Sequence, residues 1–226
     1  MSGPCVYCLH TGDWDRLRSR LEYLGPSVDY VAIGIDLHME HPEESLRMVK
    51  EMGLRAYAHF LYYDIEEVVS QAAIGLVQLG FDALDLHAQC GSDTIGRTCE
   101  VVRQEAARQG RERPLVIACA LLPSQLDLPW RSTEATREEA AEFAKQQAAE
   151  TLGAGVDGIL APSEVAEAVS AVVPEGKFGM LYASRIAAEV RVPGWGIFYD
   201  WHLDDEAFWA TDEGIELIRS RRCGHG

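Results

Sequence analysis

The sequence predicts a single (β/α)8 barrel, an α/β fold of the TIM type, over residues 1–226. Three observations point there. Short apolar runs alternate regularly with longer amphipathic stretches, the pattern of βα units wound around a parallel sheet. No Gly/Ser/Pro-rich linker divides the chain, so one domain accounts for it. With 226 residues and 47% apolar content, the chain has the length and the core material for a compact barrel.

The apolar runs are, in order, CVYCLH (5–10), VDYVAIGID (28–36), RAYAHFL (55–61), ALDLHA (83–88), PLVIACAL (114–121), GILAP (158–162), FGMLYA (178–183) and GWGIFYD (194–200). Each is short and continuously apolar, as a parallel strand buried on both faces requires. Helices are predicted between and after them at 13–24, 42–52, 64–79, 92–109, 136–152, 163–172, 184–190 and 204–221. Several start on acidic or hydroxyl residues and stop at Gly or Pro, which supply capping and termination. The stretch SRIAAEVRV is a short, valine-bearing helix candidate.

A barrel of this kind presents its functional groups where the strands end. Those ends carry His10, Asp36, His38, His59, His87, Ser124, Ser163, Glu164, the segment 182–185, Asp200 and His202, so five of the seven histidines fall there. The chain has only three lysines, and none is at these ends: Lys50 and Lys145 lie in predicted helices, and Lys177 precedes its strand.

A net charge of −16 repels polyanions over most of the surface and argues against nucleic acid as a partner. The N-terminal MSGPCVYCLH lacks a basic segment followed by a long apolar run, and no stretch approaches a bilayer span, so a cytoplasmic protein with no membrane partner is expected. Cys5 and Cys8 fall within one strand, where alternation separates the thiols to opposite faces, and all six cysteines read as reduced.

The third and fourth units resemble the orotidine 5′-phosphate decarboxylase suprafamily of ribulose-phosphate-binding barrels. The family's third strand ends Asp-x-Lys-x-x-Asp-Ile; HFLYYDI keeps Asp64 and Ile65 but places His59 and Leu61 at the first aspartate and the lysine. LGFDALDLHAQCG is similar to the family's Gly-x-Asp-x-x-x-x-His-Ala-x-x-Gly through Gly80, Asp82, His87, Ala88 and Gly91. VIACALLPS places Ser124 at the family's pyrimidine-contacting serine, YCLH places His10 at a ribose-binding aspartate, and VAIG places Ala32 at the other lysine. The resemblance runs over residues 5–170; beyond it, YASRI and FYDWH replace the family's phosphate-gripping glycine turn and Gly-Arg pair. The resemblance implies a homodimer in which Asp64 reaches the neighbouring subunit's site. It also implies that the proton-delivering lysine of the decarboxylases is missing.

Three readings follow. In the first, the chain is a decarboxylase-like, lyase-type acid/base enzyme on a small anionic metabolite such as a pyrimidine nucleotide or a nucleotide-derived product. Its catalytic residues are His59, with Asp64 as electrostatic partner, and His10, and Asp36, His87, Ser124 and Arg185 bind substrate. Arg185 is the candidate anion clamp, Tyr62, Tyr63, Trp130 and Trp201 are candidate stacking rings, and 123–133 is a candidate lid. This reading favours no cofactor. In the second, His10, Asp36, His59 and His87 hold a divalent transition metal in an aldolase or isomerase acting on a sugar phosphate. In the third, the barrel binds a ligand and catalyses nothing.

Overall fold

The computed structural model describes residues 3–126, 137–183, 192–200 and 211–222. Eight parallel strands close into a barrel in sequence order, the last pairing with the first. They are β1 (Cys5–Leu9), β2 (Tyr30–Gly34), β3 (Ala56–Tyr62), β4 (Ala83–His87), β5 (Leu115–Cys119), β6 (Gly158–Pro162), β7 (Phe178–Ala183) and β8 (Gly196–Tyr199). Outside them lie α1 (Trp14–Leu24), α2 (Ile35–Glu40), α3 (Pro42–Glu51), α4 (Glu66–Leu79), α5 (Ser92–Arg108), α6 (Arg137–Gly153), α7 (Ala166–Ser170) and α8 (Asp212–Arg222). The predicted helix 184–190 lies outside the described residues, as does the first part of 204–221.

Alternation along each strand divides the core in two. One set of side chains fills the barrel, among them Val6, Cys8, Tyr30, Ala32, Tyr57, Ala83, Ile117, Cys119, Met180, Tyr182 and Phe198. The other set, including Leu9, Val31, Ile33, Ala58, Leu84 and Leu86, packs against the helices. Cys5 and Cys8 accordingly separate, Cys8 entering the barrel, and the five described cysteines are free thiols. Among the described residues no helix is long and apolar enough to cross a membrane.

Local chemistry explains the element boundaries. The Asp13 side chain caps α1 by accepting from the Arg16 N–H, 2.8 Å away. Gly80 ends α4 with φ 104°, a left-handed conformation that a glycine adopts without steric cost. Three aspartates ahead of even-numbered strands tie down the starts of odd-numbered ones. Asp29 accepts from the Cys5 N–H at 2.8 Å, Asp82 from Ala56 at 2.7 Å and Asp157 from Val116 at 2.8 Å. Each satisfies a backbone donor at the strand edge that the preceding loop would otherwise leave unpaired.

Two expectations change. Residues 35–40, read as the end of a strand and its turn, form α2, so Asp36 and His38 are helical. His38 also leaves the strand-end face: its ring packs 4.9 Å from Phe60 and 6.0 Å from Phe81, side chains of the outer core. The predicted helix at 163–172 is a 3-10 turn followed by the five-residue α7.

Candidate active site

The inward alternation that fills the barrel continues past its apolar layers and delivers polar side chains at the strands' C-terminal ends. His10 follows β1, two residues beyond Cys8; His59 follows Tyr57 in β3; Asp85 and His87 follow Ala83 in β4; Asp200 follows β8 two residues after Phe198. All five are buried.

Asp85 organises the β3 end. Its carboxylate is wholly buried and accepts from Tyr57 Oη at 2.8 Å, from the Phe60 N–H at 3.0 Å and from the Leu61 N–H at 2.7 Å, and it is also hydrogen-bonded to His59 Nδ1. These bonds lie where the β3–β4 register slips: Ala58 pairs with Leu84 and Tyr62 with Leu86, so β3 carries extra residues in a bulge. Leu61 sits in that bulge at φ 48°, the only described non-glycine residue at positive φ. A residue without glycine's freedom adopts this conformation only when its surroundings impose it. The two N–H bonds to Asp85 do so.

An ionised carboxylate only accepts, so His59 carries a proton on Nδ1 and turns Nε2 away from Asp85. The nearest described carboxylate oxygen to Nε2 is Asp200 Oδ2, 4.0 Å away, beyond hydrogen-bonding distance. His10 is held from both sides, Nδ1 by Asp36 Oδ1 at 2.9 Å and Nε2 by Asp200 Oδ1 at 3.0 Å. Burial alone would lower the His10 pKa, but the Asp200 and Asp36 hydrogen bonds and charges outweigh it and raise the value above 6.5. Burial likewise opposes ionisation of Asp36, yet the Thr11 N–H at 3.0 Å and His10 bring it down to about 2. Gly34 makes this pair possible, because a Cβ there would lie 2.5 Å from Asp36 Oδ1 and 2.6 Å from His10 Nδ1. Acid and imidazole thus alternate across the barrel mouth: Asp36, His10, Asp200, His59, Asp85.

His87 belongs to a neighbouring group. Its Nδ1 accepts from the Gln89 N–H at 3.2 Å, so its proton sits on Nε2, which faces Gln125 Oε1 at 3.3 Å. Burial lowers its pKa, a shift that Gln125 and Asp85 oppose only in part. The Tyr63 ring lies 5.6 Å from His87. Ser124 is exposed in the same 3-10 turn as Gln125.

The expected pairing of His59 with Asp64 is replaced. His59 takes Asp85, while Asp64 is exposed and accepts from its neighbour's N–H, that of Ile65, at 2.7 Å. The expected metal set also divides. Among the described residues the metal-compatible group that meets is Cys8, His10 and Asp200, whereas His87 is engaged by Gln89 and Gln125. Arg185, Trp130, Trp201, His202 and residues 127–133 of the candidate lid lie outside the described residues. Asp85 and Cys8 are not among the residues that the sequence pattern points to. A charged residue in ALDLHA, inside a strand buried on both faces, was the available signal.

No family model matches the chain. It is 32% identical over 156 residues to the orotidine 5′-phosphate decarboxylase of Moorella thermoacetica, covering 69% of this chain and 62% of that one, less than two thirds of the relative's length. It is 27% identical over 189 residues to the enzyme of the same name from Lysinibacillus sphaericus, covering 84% of this chain and 77% of that one. The chain is thus similar to orotidine 5′-phosphate decarboxylases over 69–84% of its length. The barrel fold is shared with solved structures. The orotidine 5′-monophosphate decarboxylase of Methanocaldococcus jannaschii superposes with a TM-score of 0.66 at 15% identity, covering 98% of each chain. An uncharacterized conserved protein from Geobacillus kaustophilus superposes with a TM-score of 0.74 at 20% identity, covering 98% of this chain and 99% of that one. At the two positions where the resemblance locates lysines, this chain carries Ala32 and Leu61. Ala32 is a buried residue of the barrel interior, and Leu61 occupies the β3 bulge.

Proposed function

We propose that the chain is a decarboxylase-like, lyase-type acid/base enzyme acting on a small anionic metabolite, a pyrimidine nucleotide or a product derived from one, and that it is not a conventional orotidine 5′-phosphate decarboxylase. The observation that carries this reading is the orientation of His59. Asp85 takes Nδ1, so Nε2 is the nitrogen left to exchange a proton at the barrel mouth. In this reading bond cleavage leaves an electron pair on a substrate carbon, and His59 Nε2–H delivers the proton that neutralises it. Asp85 holds the ring throughout. His10 acts through the two carboxylates its ring nitrogens hold, those of Asp36 and Asp200, with Asp36 facing the substrate, and His87 and Ser124 contact it from the rim beside Gln125. Leu61 and Ala32 cannot give a proton, which removes the route the resemblance assigns to lysine. Arg185 is retained in the proposal as the clamp for a phosphate or carboxylate.

We further propose a cytoplasmic homodimer with Asp64 at its interface. Exposed apolar side chains flank Asp64 at this end of the barrel: Tyr63, Ile65 and Val68 beside it, and Ile35 and Met39 on α2. Exposed apolar side chains at this end of the barrel are suited to a contact surface.

The experiment is a ligand panel followed by NMR in deuterated water. Orotidine 5′-phosphate, other pyrimidine nucleotides and sugar phosphates are each incubated with the protein. Bond cleavage, or solvent deuterium at a carbon of a bound ligand, supports the proposal. Tight binding with neither change, across every ligand that binds, would overturn it in favour of a ligand-binding barrel.

A further inference from the structure

The β1–β8 seam of the barrel brings together three side chains of different chemistry. Cys8 points into the barrel from β1, His10 follows it on the same side, and Asp200 follows β8, the strand paired with β1. Their ligand atoms lie within 4.8 Å of one another, and all three residues are buried. His10 Nε2 is 3.0 Å from Asp200 Oδ1 and 3.4 Å from Cys8 Sγ. With metal–nitrogen and metal–oxygen distances near 2.1 Å and metal–sulfur near 2.3 Å, the corners of a tetrahedral site lie roughly 3.4 Å apart. The two separations from His10 Nε2 are therefore already near coordination spacing, and Cys8 Sγ lies within 4.8 Å of the Asp200 carboxylate.

We propose that Cys8 Sγ, His10 Nε2 and Asp200 form a binding site for a divalent transition metal, zinc or ferrous iron in class. The inference is independent of the role given to His59, which is not a ligand.

The donor set selects the class. Thiolate and imidazole favour borderline metals, whereas magnesium and calcium take oxygen ligands. The surroundings supply the outer contacts such a site needs. Asp36 accepts from His10 Nδ1 and so fixes the ring with Nε2 turned inward, and the Thr11 N–H in turn holds Asp36. Gly34 leaves the room for this second layer that any side chain would fill. On binding, the metal replaces the protons of His10 Nε2 and Cys8 Sγ. Three protein ligands leave a fourth position for water or substrate, the arrangement of catalytic rather than structural zinc sites. The site also suits the mouth electrostatically, because the carboxylates of Asp36, Asp85 and Asp200 converge there and attract a dication. A bound dication would give this mouth a cation at the end of the barrel where the resemblance places lysines. An anionic substrate could then approach it.

The full chain is stripped with chelator and titrated with cobalt(II). One equivalent should bind and produce visible d–d bands together with a near-ultraviolet thiolate-to-cobalt charge-transfer band. Cys8→Ser should lose the charge-transfer band and weaken binding at least tenfold, while Cys119→Ser, the other buried thiol of the barrel interior, should keep both. Substoichiometric binding, or a charge-transfer band that survives Cys8→Ser, would overturn the site. Should Cys8→Ser fail to fold, X-ray absorption on the zinc-loaded wild type decides: one sulfur scatterer supports the site, and none refutes it.

Discussion

A carboxylate wholly removed from water, as Asp85 is, survives only when donors surround it, and here there are four: Tyr57, His59 and the backbone of Phe60 and Leu61. Removing the acceptor strands all of them, whereas removing one donor strands little. Asp85→Ala should therefore destabilise the fold by at least about 3 kcal/mol, and Tyr57→Phe by only about 1 kcal/mol, as read from urea denaturation midpoints. Equal effects would show that the carboxylate is not the organising group. His87 carries a pH signature. Its folded-state pKa lies below 6.5, so the unfolded chain takes up a proton that the folded chain excludes. Its contribution to stability is present above pH 6.5 and falls away as pH drops toward the lowered folded value. NMR titration of the His87 ring should give a midpoint below 6.5, and His87→Asn should flatten this part of the acid loss of stability. A midpoint above 6.5 would contradict the burial argument. At this scale the sequence was partly legible. His10, His59 and His87 stand out because histidine is rare in such apolar runs. The partner of His59 was missed because Asp64 lies close in sequence and matches the resembled motif, while Asp85 is brought in by strand pairing.

The strands were legible because each is buried on both faces and so reads as a continuous apolar run. Their inward and outward sets were legible by the same alternation. The β3 bulge was not, because a register slip depends on hydrogen bonds to the neighbouring strand, and nothing local in HFLYYDI marks Leu61 for positive φ. Helix α2 was missed for a related reason: IDLHME is short and continues an apolar strand without a breaker, and its start at Ile35 has no side-chain cap. The aspartates that tie even strands to odd ones are visible as VDY, FDA and VDG, each an apolar residue and Asp ahead of a strand. Their energetic role is testable. Asp157→Ala leaves the Val116 N–H without its acceptor and should cost about 1–3 kcal/mol, while Asp157→Asn, which keeps a carbonyl oxygen in place, should cost less. Denaturant titrations in which the two variants lose equal stability would assign the effect to the Arg113 ion pair instead.

For the molecule as a whole, closure of the barrel in sequence order sets which end carries chemistry, and it gathers residues separated by most of the chain, such as His10 and Asp200. The same end carries the exposed apolar side chains around Asp64, which supports the proposed two-fold dimer. Sedimentation at micromolar concentration should find that dimer, and Met39→Asp combined with Ile65→Asp should dissociate it; a wild-type chain that remains monomeric would overturn the proposed interface at Asp64. The fold was legible through its apolar periodicity, and the resemblance through the Asp64-Ile65 and His87-Ala88 motifs. The chemistry was less so, because replacement of both lysine positions by Ala32 and Leu61 says what is lost without saying what took its place. The account rests on His59 as the group that moves the proton. Its direct test compares wild type with His59→Asn on a ligand the wild type turns over, measuring kcat and, by calorimetry, affinity. The variant should lose about 100-fold or more in kcat, the scale of a removed general acid, with affinity unchanged within a few-fold. Turnover within a few-fold of wild type, or a loss of binding that accounts for the whole effect, would contradict it.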